Sequence, residues 1–183
     1  DVFSESRLRR LPGALAIGHV RYSTTGSSQL KNAQPFLVGT RHGAVAIAHN
    51  GNLLNAASLR AELEADGAVF SSTSDTEVIL HLIARSNAGS LLEAAIEALR
   101  QVRGAYSLVL MNEHQVVGIR DPRGFRPLSL GRLRDAYLLA SESCAFDLLE
   151  ATFVRDIEPG EFVCIDRQGL RSASPLPVEP SAP

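Results

Sequence analysis

Residues 46–55 read AIAHNGNLLN, and the reading of His49-Asn50-Gly51 at their centre decides what kind of fold surrounds them. Small and apolar residues run into the polar centre, and a fresh apolar stretch leaves it. Taken alone, Asn50 and Gly51 both tolerate positive φ and suit the type I′ turn of a two-residue hairpin. The continuation points elsewhere. NAASLRAELEADG has Asn55 as an N-cap, Leu59 and Leu63 on one helical face and Gly67 as the stop. A strand that runs into a helix has no second strand for a hairpin. At such a junction a carboxamide beside an unhindered glycine N–H offers two donors to one oxygen, which is what a developing oxyanion needs. The local pattern leaves both readings, turn and site, in place.

Outward from this stretch, ALAIGHVRY (14–22) predicts a buried strand and STTGSSQLKNA (23–33) a loop. QPFLVG and AVAIAH are short strands around the turn Arg41-His42-Gly43. Ser74-Asp75-Thr76-Glu77 predicts a capping box ahead of Val78, Ile79, Leu82 and Ile83 at helical spacing. Ser90 to Glu93 repeats that signal ahead of Ile96 and Leu99, with Gly104 as the stop. Strands follow at AYSLVLM (105–111), QVVGIR (115–120), PLSLG (127–131), AYLLAS (136–141) and EFVCID (161–166). Strands, then helices, then strands on short turns make an α+β pattern with largely antiparallel sheet, not the alternation of a doubly wound fold. The Pro- and Ser-rich residues 173–183 read as a linker or tail, which leaves 1–172 as the domain.

The 183 residues are 45% hydrophobic and 21% charged, a balance that suits one domain with a real core. A net charge of −2 gives no basic footprint for nucleic acid. No apolar run approaches the ~18–20 residues of a membrane span. Cys144 and Cys164 are too few and too isolated for a disulfide framework, and point to a reducing, cytoplasmic location. His19, His42, His49, His81 and His114 show no metal-ligand spacing, so no metal is expected in this chain. The chain opens on Asp1 and its only methionine is Met111, which suggests a piece of a longer protein, truncated at both ends.

Arg21 follows the apolar AIGHV. Its guanidinium fork suits bidentate capture of a carboxylate, against the commoner surface ion pair. Gly26 and its hydroxyl neighbours would let the following loop act as a lid. Asp75 sits in a helix's first turn, where a negative charge is favoured anyway. It is also placed to hold an ammonium group, and with Arg21 it would recognise the two charged ends of an amino acid. RDPRGFRP (120–127) carries three arginines but lacks the glycine loop and lysine of a P-loop, and reads as a turn braced by Asp121.

GHVRYSTTGSS, NAQPF, AHNGNLLNA, TSDTEV, RDPRGFRPLSLG, ASESCAFD and DIEPGE, in that order, resemble the glutamine phosphoribosylpyrophosphate amidotransferases over about residues 2–170. Tyr22-Ser23-Thr24 and SESCAFD set the chain apart from glucosamine-6-phosphate synthases and asparagine synthetases, which share parts of the pattern. The resemblance implies an N-terminal nucleophile hydrolase fold, a four-layer αββα sandwich of largely antiparallel sheets, here incomplete at its N-terminus. It implies that Arg21 holds the glutamine α-carboxylate and Asp75 the α-ammonium. Asn50, through its side chain, and Gly51, through its N–H, would form the oxyanion hole, under a lid running from Tyr22, Ser23 and Thr24 to Ser28.

The family's nucleophile is an N-terminal cysteine, whereas this chain begins with Asp1. Cys144 and Cys164 read as ordinary thiols, so residues 1–183 are expected to be inactive alone. The implied partners are glutamine, a phosphoribosyltransferase domain of the same polypeptide and further copies of the enzyme. Mg²⁺ would belong to that other domain, and an iron–sulfur cluster, present in some members, stays open. The whole enzyme would use ammonia from glutamine to turn phosphoribosyl pyrophosphate into 5-phosphoribosylamine, for de novo purine synthesis. The alternatives are a non-catalytic remnant that binds an amino acid or a partner, and a related class II glutamine amidotransferase.

Overall fold

In the computed structural model, residues 4–20 and 30–178 are described. In chain order the elements are α1 (Glu5–Leu8), a 3₁₀ turn (Leu30–Asn32), β1 (Phe36–Thr40), β2 (Gly43–Leu53), α2 (Ala56–Ala65), α3 (Thr76–Arg85), α4 (Leu91–Leu99), β3 (Gly104–Met111) and β4 (Gln115–Arg120). There follow β5 (Ser129–Leu133), β6 (Ala136–Ala140), α5 (Cys144–Leu148), β7 (Thr152–Asp156), β8 (Phe162–Asp166) and β9 (Gly169–Ala173). The strands form a six-stranded sheet, β1-β2-β3-β4-β8-β9, and a three-stranded sheet, β6-β5-β7. Every pairing is antiparallel.

Side-chain alternation along the strands builds the layers. In β4, Val117 and Ile119 join the core shared with α2, α3 and α4. Gly118 between them faces the second sheet so closely that a Cβ would lie 2.6 Å from Leu139. In β8, Phe162 and Cys164 face the helices, while Val163 meets Leu128, Leu130 and Ile157 between the sheets. On the far side of the second sheet, the Phe146 ring of α5 would lie 2.7 Å from a Cβ at Gly131. Helices, sheet, sheet and a short helix therefore stack as four layers, the α+β antiparallel architecture read from the sequence.

The helices hold because their apolar faces are buried. Val78, Ile79 and Ile83 of α3 are wholly enclosed, each stabilising the fold by about 1.5–3 kcal/mol through burial. α2 ends as predicted at Gly67, with φ +90°. The Gly67 N–H donates to Glu64 and the Ala68 N–H to Leu63, the paired bonds of a Schellman cap. At α4 the Ser90 hydroxyl accepts the Glu93 N–H at 3.2 Å. Past β9 the chain stays on the domain as far as Leu176, which is buried in the main core.

Several local expectations fail. Residues 14–20 belong to no strand, and Val20 is exposed. Their apolar alternation suits a strand, but a strand needs a neighbouring edge for its N–H and C=O groups, and none of the described strands pairs with them. The Ser74–Glu77 capping box does not form. Glu77 instead accepts the N–H and hydroxyl of both Ser71 and Ser72, at 2.6–2.8 Å. Four donors outcompete the single N–H of a capping box. Asn55 makes no side-chain cap, because its carboxamide bridges Gln101 and Arg103 at the entrance to β3. Gly104 does not stop α4 but opens β3, at φ +146°, where a Cβ would lie 2.4 Å from the Asn52 carbonyl oxygen.

Candidate active site

β1 pairs with β2 only as far as Phe36 opposite Ile47. The last part of β2 therefore has β3 on one side and an open edge on the other. Asn50 lies opposite Ser107 and Gly51 opposite Tyr106, both inside the strand. This excludes the hairpin turn, and it places the pair ahead of the strand-to-helix junction, which comes only at Leu54-Asn55.

Alternation in an antiparallel ladder turns the N–H groups of residues 49, 51 and 53 toward the open edge. The His49 N–H donates to Gln34 Oε1 at 2.7 Å, and the Leu53 N–H to Asp75 Oδ2 at 2.9 Å. Between them, the Gly51 N–H faces the same edge with no side-chain acceptor among the described residues. Only glycine fits here: a Cβ would lie 2.0 Å from the Ala105 carbonyl oxygen and 2.9 Å from His49 Nε2.

On the helix side of β2, buried His49 places Nδ1 3.1 Å from Thr76 Oγ1 and 3.7 Å from Asp75 Oδ1. Its Nε2 is enclosed without a hydrogen-bond partner among the described residues. Asp75 stands at the N-cap position of α3 but makes no cap bond, because its carboxylate turns to β2. Burial pushes its pKa up, but the His49 bond and charge and the N–H groups of Leu53 and Thr76 outweigh that and hold it below the usual value. Asp75 is thus an anion at neutral pH.

Asn50 projects from the opposite face of β2, where its Oδ1 accepts from Arg126 Nη2 at 2.5 Å. A guanidinium can only donate, so this contact assigns the oxygen end of the carboxamide to Arg126 and leaves the Nδ2 end pointing away. Arg126 is held by a turn around Asp121, which is completely buried. Asp121 Oδ1 accepts the N–H groups of Arg123 at 3.0 Å and Phe125 at 3.2 Å. Its Oδ2 accepts those of Arg126 at 3.1 Å and Tyr106 at 3.3 Å. Arg120 donates to the carbonyls of Arg126, Ile157 and Gly124, so its guanidinium serves the turn and not a phosphate. The Asp121-braced turn read from RDPRGFRP is what forms.

The structure thus brings Asn50, Gly51 and Asp75 to one end of β2. Arg21, Tyr22, Ser23 and Thr24 lie outside the described residues. Cys144 is exposed on α5. Cys164 is on β8, separated from β2 by β3 and β4. Its thiol donates to Gln115 Oε1 at 3.0 Å, and burial, then the Asp166 charge, push its pKa up. Neither thiol is at the Asn50–Gly51 edge. A cavity of about 300 Å³ lined by Glu62, Asp66, Arg85 and Glu97 opens on the outer helical layer instead. No group of three or more His, Cys, Asp or Glu among the described residues is placed to hold a metal. Sequence reasoning missed Arg126, Gln34 and Thr76 as parts of the site, and nothing in their spacing marks them.

A family model described as a glutamine amidotransferase domain matches residues 19–147. The chain belongs to this family. It is similar to amidophosphoribosyltransferase 2, chloroplastic, of Arabidopsis thaliana, at 52% identity over 178 residues, covering 97% of this chain and 32% of that protein. It is also similar to amidophosphoribosyltransferase of Bacillus subtilis, at 44% identity over 173 residues, covering 94% of this chain and 36% of the relative. Among solved structures it resembles glutamine phosphoribosylpyrophosphate amidotransferase from B. subtilis complexed with ADP and GMP. The TM-score there is 0.81 at 43% identity, over 86% of this chain and 34% of that one. This glutamine amidotransferase domain therefore spans about a third of the length of the relatives it matches. No helix among its described residues is long and apolar enough to cross a membrane.

Proposed function

We propose that the chain is the glutamine-using part of an amidophosphoribosyltransferase. In this reading Asn50 Nδ2 and the Gly51 N–H hold the oxyanion formed from the glutamine side-chain carbonyl. Asp75 takes the α-ammonium and Arg21 the α-carboxylate, and Tyr22, Ser23 and Thr24 begin the segment that covers the substrate. The observation that carries the reading is the edge of β2. Gln34 and Asp75 seal the N–H groups on either side of Gly51, and the one between them is left facing outward beside an oriented carboxamide.

The chemistry needs a nucleophile that these residues do not contain, by the resemblance a cysteine at the mature N-terminus. Its thiolate attacks the glutamine carboxamide carbon, and the carbonyl oxygen takes the charge against Asn50 and Gly51. Collapse expels ammonia, which takes up a proton, and water then cleaves the thioester to glutamate. The rest of the polypeptide, reached through the tail beyond Leu176, would pass the ammonia to phosphoribosyl pyrophosphate. Assembly into a homo-oligomer and a cytoplasmic location belong to the same proposal, and the two free cysteines fit a reducing compartment. In this reading Mg²⁺ belongs to the rest of the polypeptide, as would an iron–sulfur cluster if the whole protein carries one.

The test is glutamate release and glutamine-dependent consumption of phosphoribosyl pyrophosphate by the intact protein, beside residues 1–183 alone. Activity in the intact protein and none in 1–183 is the expected result. Glutamate release from 1–183 above background would remove the terminal cysteine from the account. A second reading, a binder of amino acids without chemistry, draws on the absence of either thiol from the Asn50–Gly51 edge. It requires glutamine binding by the intact protein with no hydrolysis.

A further inference from the structure

The motif RDPRGFRP forms a turn in which the Arg120 guanidinium is spent on the carbonyls of Arg126, Ile157 and Gly124. Arg126 reaches out of the turn to Asn50, 76 residues away along the chain. Resting on the oxyanion reading above, we infer that Arg126 is a positioning residue that sets the flip state of the Asn50 carboxamide. A primary amide has an acceptor end and a donor end of nearly equal size. Rotated by half a turn, Asn50 would present its oxygen to the oxyanion and repel it. Arg126 removes that ambiguity because its guanidinium has donors only and stays charged at every working pH. An accepting oxygen tied to a cation also polarises the amide, making its N–H a stronger donor.

The placement of Arg126 is itself fixed. Its N–H is held by Asp121 Oδ2 at 3.1 Å, and its carbonyl accepts from Arg120 Nε at 3.0 Å. The backbone is thus clamped on both sides while the side chain stays exposed. An exposed arginine clamped in this way contributes little to the core, and its guanidinium is hydrogen-bonded to Asn50.

The experiment is a double-mutant cycle on glutamine hydrolysis by the intact protein, with Arg126→Met and Asn50→Ala. Met keeps the aliphatic stem and removes every donor. Arg126→Met should lower kcat by about ten-fold or more with the glutamine KM within about two-fold, since only transition-state binding suffers. In the Asn50→Ala background the same change should cost less than about two-fold. Arg126→Lys, which keeps the charge and a donor, should recover most of the rate. If Arg126→Met folds poorly by its melting midpoint, Arg126→Ala is read in the same cycle. An equal loss in both backgrounds, a raised KM with kcat kept, or no effect at all overturns the positioning role. An undiminished kcat in Asn50→Ala alone would fell the oxyanion reading, and the two failures are told apart without ambiguity.

Discussion

The two halves of β2 have the same backbone and opposite neighbours. From Gly43 to Ile47 the strand is paired with β1 on one edge, and from Ala46 onward with β3 on the other. From His49 to Leu53 the β1 side is replaced by single side chains, Gln34 and Asp75, each capping one N–H. A strand partner satisfies every group on an edge, whereas side chains can satisfy a chosen subset. That is how a sheet can leave one donor open at Gly51 without leaving the whole edge frayed or prone to pairing with another chain.

The sharpest break of this contrast is Gly51→Ala. A Cβ 2.0 Å from backbone should cost at or above ~3 kcal/mol, the upper end of ordinary overpacking, measured by urea unfolding. Ordinary stability would show that β3 yields there, and with it that the donor is not rigidly held. Next in size is Asn50→Ala, which should lower kcat for glutamine hydrolysis by ~10²–10³ in the intact protein. A change in KM alone would contradict its assignment as an oxyanion donor.

Asp75 gives a pH signature. Its folded pKa lies below the ordinary value of 3.8, so its contribution is fully present above about that pH. It is lost as pH falls from there through the folded value. Asp75→Asn should flatten that acid limb in thermal melts, and an unchanged acid limb would show that the carboxylate gains nothing from His49 and Leu53. The smallest effect is expected at Gly39 in β1. A Cβ there meets nothing within 4 Å, so Gly39→Ala should shift stability by no more than about 0.5 kcal/mol.

Much of this was legible in the sequence where periodicity and burial agree. Val78, Ile79 and Ile83 announced α3, Gly67 its predecessor's end, and the run of antiparallel strands the fold class. β7 and β9 escaped because edge strands exposed on one or both sides carry little apolar alternation. Asn50 and Gly51 were singled out by chemistry, yet their local pattern suggested a turn. What keeps Gly51 inside a strand is Tyr106 across the ladder, a contact that no short window of sequence contains. The same holds for Gln34 standing in for a strand and for Arg126 meeting Asn50. Glu77 shows the converse: a correct capping signature was overridden by Ser71 and Ser72, whose four donors only the folded turn brings together.

Asp121 has a further consequence. Its Oδ2 receives the N–H of Tyr106, which lies across from Gly51, and the N–H of Arg126, which grips Asn50. A single buried oxygen atom is thus the common datum from which both donors are surveyed, one through the β-ladder and one through a guanidinium. Because both donors are referenced to that one atom, a shift of the surrounding sheet would move them together and leave their mutual spacing set.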